Sequence, residues 1–341
     1  MKHNKLNILF RTGGGRASGK QLGLGHVYRS INLATELRPH GIHFLIEDYG
    51  GVRKLLLERG FANIYELKKG SNMISDIGKT TETIKKKNID ILIVDNYNVK
   101  SGDLQKLKKF VKVVAISDLR RFHLPADLVI DGFVGYENKV TKNKYGIKCL
   151  LGPNYQILNS QFGKKTRSSK PKYDLLITFG GYDEKNIVLM VLRSLLPYIE
   201  QIKAKIILGP ATKKSEEMET IQQKYVGKLS IVNKTKAMHK EISNTRYGLC
   251  AGGITTYEFA SMNIPFAIIC QVKHQLITAK EWQRKGIALN LGLVNNKTSK
   301  KIDEVLERIT KNGMPKGSYG KIMVDGLGAQ RAAREILKMK S

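Results

Sequence analysis

Strand-like apolar runs alternate with amphipathic helical stretches almost from one end of the chain to the other. That alternation restricts the possible folds more than any other property. Parallel strands need crossover helices, so the pattern predicts α/β architecture with parallel sheets. In the first half the runs are Asn7–Arg11, His43–Glu47, Ile91–Asp95, Val111–Ser117 and Leu128–Ile130. In the second half they are Asp174–Phe179, Lys203–Leu208, Leu229–Val232, Tyr247–Leu249 and Phe266–Ile269. Residues 161–172 break the rhythm; they are polar, basic and serine-bearing, and read as a linker. A length of 341 residues suits two such domains. The expected divisions are 1–160, 161–316 and an extension at 317–341. The extension ends in a helix, Ala329 to Lys338, expected to pack back on the first domain. The two halves are expected to be Rossmann-like, with their sheets facing a central cleft.

Gly23-Leu24-Gly25-His26 follows the first run and a glycine-rich loop, Thr12 to Gln21. It opens a predicted helix whose apolar positions Val27, Ile31, Ala34 and Leu37 share one face. A histidine at a helix N-terminus meets the positive end of the dipole, which disfavours imidazolium and preserves a neutral base. That role also requires the ring to be open to the cleft. Asp95 and Tyr97 end the third run and Asp118 follows the fourth, at the same sheet edge as His26. These groups suit orienting the base or binding sugar hydroxyls, and equally suit plain helix caps.

Three motifs stand out in the second half. Cys250-Ala251-Gly252-Gly253-Ile254-Thr255-Thr256-Tyr257-Glu258 joins a strand to a helix. Its N–H groups and hydroxyls suit an anion, and Glu258 suits a ribose diol. A capped strand-to-helix turn would carry the same residues. Phe179-Gly180-Gly181-Tyr182-Asp183 closes another strand, where open α/β sheets take ligands. There Asp183 reads either as a ligand contact or as the cap of the next helix. His274 and Gln275 follow the last predicted strand.

Composition narrows the partners. The formal net charge is +30, which raises nucleic acid as a partner. The lysines are dispersed, however, and no long basic run is interleaved with aromatics, so a solvated lysine-rich surface is the preferred reading. The same field would steer an anionic nucleotide. Cys149, Cys250 and Cys270 form no C-x-x-C pair, which argues against a zinc site or disulfide scaffold. No apolar run reaches membrane-spanning length, and no signal peptide is evident, so a cytoplasmic protein is expected. Gly14 to Gln21 nearly matches a P-loop, but Gln21 stands where Ser or Thr must bind magnesium. Gly23-x-Gly25 is followed by Tyr28 where a dinucleotide fingerprint needs Gly or Ala.

Taken in order, these motifs resemble the UDP-2,4-diacetamido-2,4,6-trideoxy-β-L-altropyranose hydrolases of pseudaminic acid biosynthesis. Those enzymes are relatives of the GT-B glycosyltransferases and of spore-coat polysaccharide biosynthesis proteins. The matching features are Leu9-Phe10-Arg11 before a Gly-rich loop, Gly-Leu-Gly-His26 with Arg29, Asp95-x-Tyr97 and Gly152-Pro153-Asn154-Tyr155. Phe179-Gly180-Gly181-x-Asp183 with Asn186, the Gly253–Glu258 turn, Gln275, Trp282 and Val324-Asp325-Gly326-x-Gly328-Ala329 complete the series. His274 departs from the Asn expected before Gln275, and the loop at 12–21 is longer than usual. The resemblance implies a GT-B-like fold in which His26 activates water to attack the anomeric carbon, with inversion. It implies a sugar side at Arg11, Gly25, Arg29, Asp95, Tyr97, Asp118, His274 and Gln275. It implies a UDP side at Gly180, Gly181, Asp183, Gly252, Gly253, Ile254, Thr255, Thr256 and Glu258. The substrate is a UDP-sugar, with no cofactor, metal, nucleic acid or stable membrane insertion. The alternatives are a UDP-sugar glycosyltransferase of the same fold and a basic nucleic-acid-binding protein.

Overall fold

The computed structural model describes all residues except 1–4, 18–19, 22, 68–72, 96–99, 119–120, 165–167, 182, 184, 210–211, 236, 314–323 and 341. The chain divides into two compact units. One holds residues 1–160 with 327–341, the other 161–326.

The first unit begins with β1 (Asn7–Ala17), β2 (Lys20–Gln21), α1 (Gly25–Glu36), β3 (Gly41–Tyr49), α2 (Val52–Glu58), β4 (Ile64–Glu66) and α3 (Met73–Lys86). It continues with β5 (Ile91–Asp95), α4 (Ser101–Leu107), β6 (Lys112–Ile116), β7 (Leu128–Asp131), β8 (Lys139–Lys142) and β9 (Lys148–Leu151). The sheet runs β4-β3-β1-β5-β6-β7-β9-β8. Its strands are parallel except β8, which pairs antiparallel with β9, and β2, which folds back on β1. Alternate residues feed two cores. Ile8, Phe10, Ile93, Ile116 and Ile130 pack against α1, while Leu9, Leu92, Val94 and Val129 fill the opposite layer. The last helix of the chain, Gly328–Leu337, adds Ala329, Ala332, Ala333 and Ile336 to the α1 layer. Its first residue has no room for a side chain: a Cβ on Gly328 would run into the Gln156 carbonyl.

The glycine stretch after Arg11 is strand, not loop. β1 keeps its parallel register with β3 through Gly13↔Glu47, Gly14↔Asp48 and Gly15↔Tyr49. The glycines serve close packing: a Cβ on Gly14 would lie 2.7 Å from the Gly23 carbonyl and 2.9 Å from Val27. Gly15 has φ +100° and donates its N–H to Gly23 O at 3.1 Å. Lys20 falls in the short β2, so no helix starts there as a P-loop lysine requires.

The second unit holds β10 (Tyr173–Thr178), α5 (Ile187–Leu195), β11 (Ala204–Ile207), α6 (Glu216–Lys224), β12 (Leu229–Val232), α7 (Met238–Ser243) and β13 (Thr245–Cys250). Next come α8 (Thr255–Ser261), β14 (Phe266–Cys270), α9 (Gln275–Arg284), β15 (Ala288–Leu293) and α10 (Thr298–Lys311). Its six strands are parallel in the order β12-β11-β10-β13-β14-β15. In both sheets the strand order reverses beside the first strand of the unit, between β1 and β5 and between β10 and β13. Open α/β sheets bind ligands at the carboxyl ends flanking such a switch.

Candidate functional site

His26 lies in the first turn of α1, just after β1, and Asp95 is the last residue of β5. The two therefore meet at the switch point of the first sheet. His26 Nδ1 is 2.6 Å from Asp95 Oδ1. Arg29, one helical turn on, donates from Nε to Asp95 Oδ2 at 2.8 Å and from Nη2 to Asp95 Oδ1 at 2.6 Å. Its Nη1 and Nη2 also donate to the two oxygens of Asp118, at 2.5 and 3.0 Å. A planar guanidinium is the side chain suited to hold two carboxylates in fixed planes.

Burial alone would raise the Asp95 pKa. Arg29, and then His26, outweigh it and hold that carboxyl at about 2. Asp95 is thus ionised and accepts only. His26 must carry its proton on Nδ1, and Nε2 holds the other role. The 3.1 Å approach of Arg29 Nη2 to Nδ1 then joins two donors and is a contact, not a hydrogen bond. One expectation is corrected here: the ring is not open, its side chain being only 8% exposed and its Nε2 buried. Asp95 and Arg29 draw the ring against the sheet edge.

Arg11 departs further from its expected role on the sugar side. Its Nε and Nη2 donate to Asp76 of α3 at 2.9 and 2.7 Å, Nη2 also to Glu47 of β3 at 2.7 Å, and Nη1 to the Thr12 carbonyl at 3.0 Å. A guanidinium engaged on two carboxylates and 3% exposed braces the sheet to α3. Gly25 starts α1 with open space on its Cβ side. Tyr97 lies outside the described residues.

Sequence reasoning passed over Asp131, the last residue of β7. It is wholly buried at the same carboxyl edge. Burial, then the charge of Asp118, pushes its carboxyl up to about 7. Only the folded arrangement gives this residue meaning, because its neighbours come from other strands.

In the second unit the glycine motifs converge on the second switch point. Gln271 links two of them: its Nε2 donates to Phe179 O at 2.8 Å, and its N–H donates to Gln275 Oε1 at 2.8 Å. A Cβ on Gly252 would lie 2.9 Å from that of Gln275 and 3.0 Å from the Gln275 carbonyl. Gly209, after β11, presses on the Gly180-Gly181 backbone so closely that a Cβ there would overlap it. Gly180 adopts φ +78°, and both Gly180 and Gly253 keep open space on the Cβ side. His274 and Gln275 thus lie in the second unit beside this turn, with His274 exposed at the start of α9.

Two residues expected on the UDP side have structural duties instead. Asp183 caps α5, accepting from Ile187 N and Val188 N at 2.8 Å each. Burial still leaves its carboxyl above the ordinary range. Thr256 is wholly buried; its hydroxyl donates to Gly253 O at 2.7 Å and accepts from Trp282 Nε1 at 2.9 Å. Its N–H also serves Gly253 O, at 3.2 Å. The helix that follows, α8, has only seven residues, so its dipole is weak. Ile254 is its N-cap and Thr255 its first residue. The Glu258 carboxyl is only partly exposed, and burial carries it up to about 7 despite a hydrogen bond from Thr255.

No protein-family model matches the chain. It is 26% identical over 329 residues to the spore coat polysaccharide biosynthesis protein SpsG of Bacillus subtilis, covering 92% of this chain and 94% of the relative. It is 25% identical over 290 residues to the UDP-2,4-diacetamido-2,4,6-trideoxy-beta-L-altropyranose hydrolase of Campylobacter jejuni, covering 82% and 97%. An uncharacterized protein of Methanocaldococcus jannaschii is 27% identical over 267 residues, 74% of this chain; the match spans about half of that relative, 54%. Among solved structures, Acinetobacter baumannii MurG superposes with a TM-score of 0.60 at 16% identity, covering 97% and 99%. The UDP-GlcNAc 2-epimerase of Neisseria meningitidis, bound to UDP-GlcNAc, gives 0.61 at 12% identity, covering 98% and 100%. The chain therefore has the GT-B-like α/β fold of these structures, and the resemblance read from its motif order is borne out by its similarity to the Campylobacter hydrolase and to SpsG.

Proposed function

We propose that this protein is a UDP-sugar-processing enzyme of surface polysaccharide or glycan biosynthesis. Its reaction is hydrolysis of a UDP-linked diacetamido-trideoxy sugar at the anomeric carbon. The observation that carries this reading is the Asp95–His26 pair at the sheet's switch point, with Nδ1 2.6 Å from an ionised carboxylate. Such a partner fixes the tautomer in which Nε2 can take a proton from water, and it stabilises the imidazolium that forms. The named activity of the Campylobacter jejuni relative supports the choice of substrate.

UDP is a good leaving group whose developing charge needs donors more than acid. In this reading the backbone of Gly180, Gly181, Gly252 and Gly253, with open space beside Gly180 and Gly253, receives the diphosphate, with Ile254 and Thr255 beside it and Glu258 on the ribose. Arg29 and Asp118 act by holding Asp95 and His26, and His274 and Gln275 border the sugar. The covered Nε2 must become reachable by water in the substrate complex. The direct test follows UDP release from the UDP-sugar with water alone as acceptor. Release that His26→Asn abolishes supports the reading; release unchanged in His26→Asn removes the base.

A second reading, transfer of the sugar to an acceptor, draws on the polysaccharide-biosynthesis name of SpsG. UDP release that appears only when an acceptor is added would favour it over hydrolysis. The dispersed lysines give the nucleic-acid alternative no comparable support.

A further inference from the structure

Asp131 ends β7 beside Ser117, whose N–H donates to Ile130 O at 2.8 Å. Its Oδ1 accepts one bond, from Phe133 N at 3.1 Å. Its Oδ2 is buried and, among the described residues, has no hydrogen-bond partner. The Ser117 hydroxyl beside it is buried too, and its pull on the carboxyl is smaller than the effects of burial and of Asp118. A desolvated carboxylate needs several donors, and only the Phe133 N–H bonds this one in ordinary geometry.

The charges acting on Asp131 are few. Asp118, after β6, brings a like charge. Arg29 of α1 brings the opposing one, but its fork is already engaged on Asp95 and Asp118. From β9 comes the Cys149 thiol, which burial pushes up to about 11, so it stays neutral. A charge on Asp131 would therefore compete with Asp118 for the same guanidinium.

We propose that Asp131 is a positioning residue that works un-ionised: its neutral carboxyl leaves Arg29 wholly to Asp95 and Asp118, and so keeps the Asp95–His26 pair in register. Ionisation would add a third acceptor, loosen the Arg29–Asp118 bonds and release the first turn of α1. The ordinary carboxylate would be charged at neutral pH; burial and Asp118 oppose that here. This role in turnover rests on the function proposed above; the protonation state of Asp131 does not.

The test compares Asp131→Asn with the parent chain across pH 4 to 9, by thermal melting and by UDP release. A carboxyl whose folded pKa is raised loses stability as pH climbs from its unfolded value toward its folded value, then levels off. Near pH 4 the two proteins should melt alike. By about pH 7 the parent should melt several degrees lower, with a constant gap above that. Its kcat should fall above about pH 7 with KM little changed, while Asp131→Asn, whose amide stays neutral, should hold kcat to higher pH. Parallel melting curves across the range would overturn the proposal. If the variant does not fold, ¹³C titration of Asp131 in the parent chain decides: a midpoint near 7 upholds the proposal and one below 5 overturns it. Should no UDP be released by either protein, the proposed function fails, while the melting and titration results still judge Asp131.

Discussion

Replacing Asp95 by Asn tests the electrostatic centre of the first unit. Asp95 is wholly buried, and its carboxyl is held at about 2 against an ordinary 3.8. That depression corresponds to roughly 2–3 kcal/mol of stability at neutral pH. A second route starts from Arg29, which would keep Asp118 but lose its charged partner at Asp95; breaking a buried pair costs about 3–5 kcal/mol. The two routes overlap near about 3 kcal/mol, enough to be measured without abolishing the fold. The sign follows from the depressed pKa. The contribution is complete above about pH 4 and disappears as pH falls through about 2, so the parent loses an increment between those values that Asp95→Asn lacks. The sole tryptophan, Trp282, lies in the second unit. Amide hydrogen exchange along α1, together with urea unfolding followed by circular dichroism, is therefore the appropriate readout. Equal stability of the two proteins at pH 7, or an unchanged exchange rate in α1, would refute the reasoning.

Three further outcomes are expected. Thr256→Val leaves the Trp282 indole N–H without its partner, while the Gly253 carbonyl keeps the Thr256 N–H, at a cost of about 1–3 kcal/mol; Trp282→Phe in the same chain should recover part of it, and full additivity would contradict the bond. Gly209→Ala drives a methyl into the Gly180-Gly181 backbone and should lower UDP affinity in calorimetry, whereas Gly102→Ala, in α4 with open space around it, should leave it unchanged; UDP affinity unchanged in Gly209→Ala would remove Gly209 from the site. Glu258, raised to about 7, loses stability as pH rises from about 4.5 toward 7. Glu258→Gln should therefore melt higher than the parent at pH 8 and bind UDP more weakly, and a variant that binds UDP normally would unseat the ribose contact.

The parallel-sheet architecture was legible because buried parallel strands are continuous apolar runs, as in Ile91–Val94 and Phe266–Ile269. Strands without such runs escaped notice: Ile64–Glu66, Lys139–Lys142, Lys148–Leu151 and Ala288–Leu293. Gly13–Gly15 reads as loop because glycine weakens a strand locally; its pairing partners Glu47–Tyr49 lie thirty-odd residues away. At the sites, residue type announced chemistry but not engagement. Arg11 and Arg29 look alike in sequence, yet one braces α3 and the other holds Asp95. Thr255 and Thr256 are adjacent, yet only the second is locked to Trp282. Asp183 offered two readings, and the cap won because the N–H groups of α5 lie within reach. Gly209 carried a usable signal, a glycine directly after a strand of the second sheet. Asp131 carried none, since a buried acid is recognised only by what surrounds it.

The helix Gly328–Leu337 completes the α1 layer of the first unit, although every residue of the second unit precedes it in the chain. During synthesis, residues 161–326 must emerge before the first unit can seal its apolar interior. The nascent first half therefore waits with Val27, Ile31 and their neighbours uncovered on one side, a state that invites chaperones or aggregation. Expression of residues 1–160 alone should give an association-prone fragment, and a peptide spanning 327–341 supplied in trans is the natural remedy.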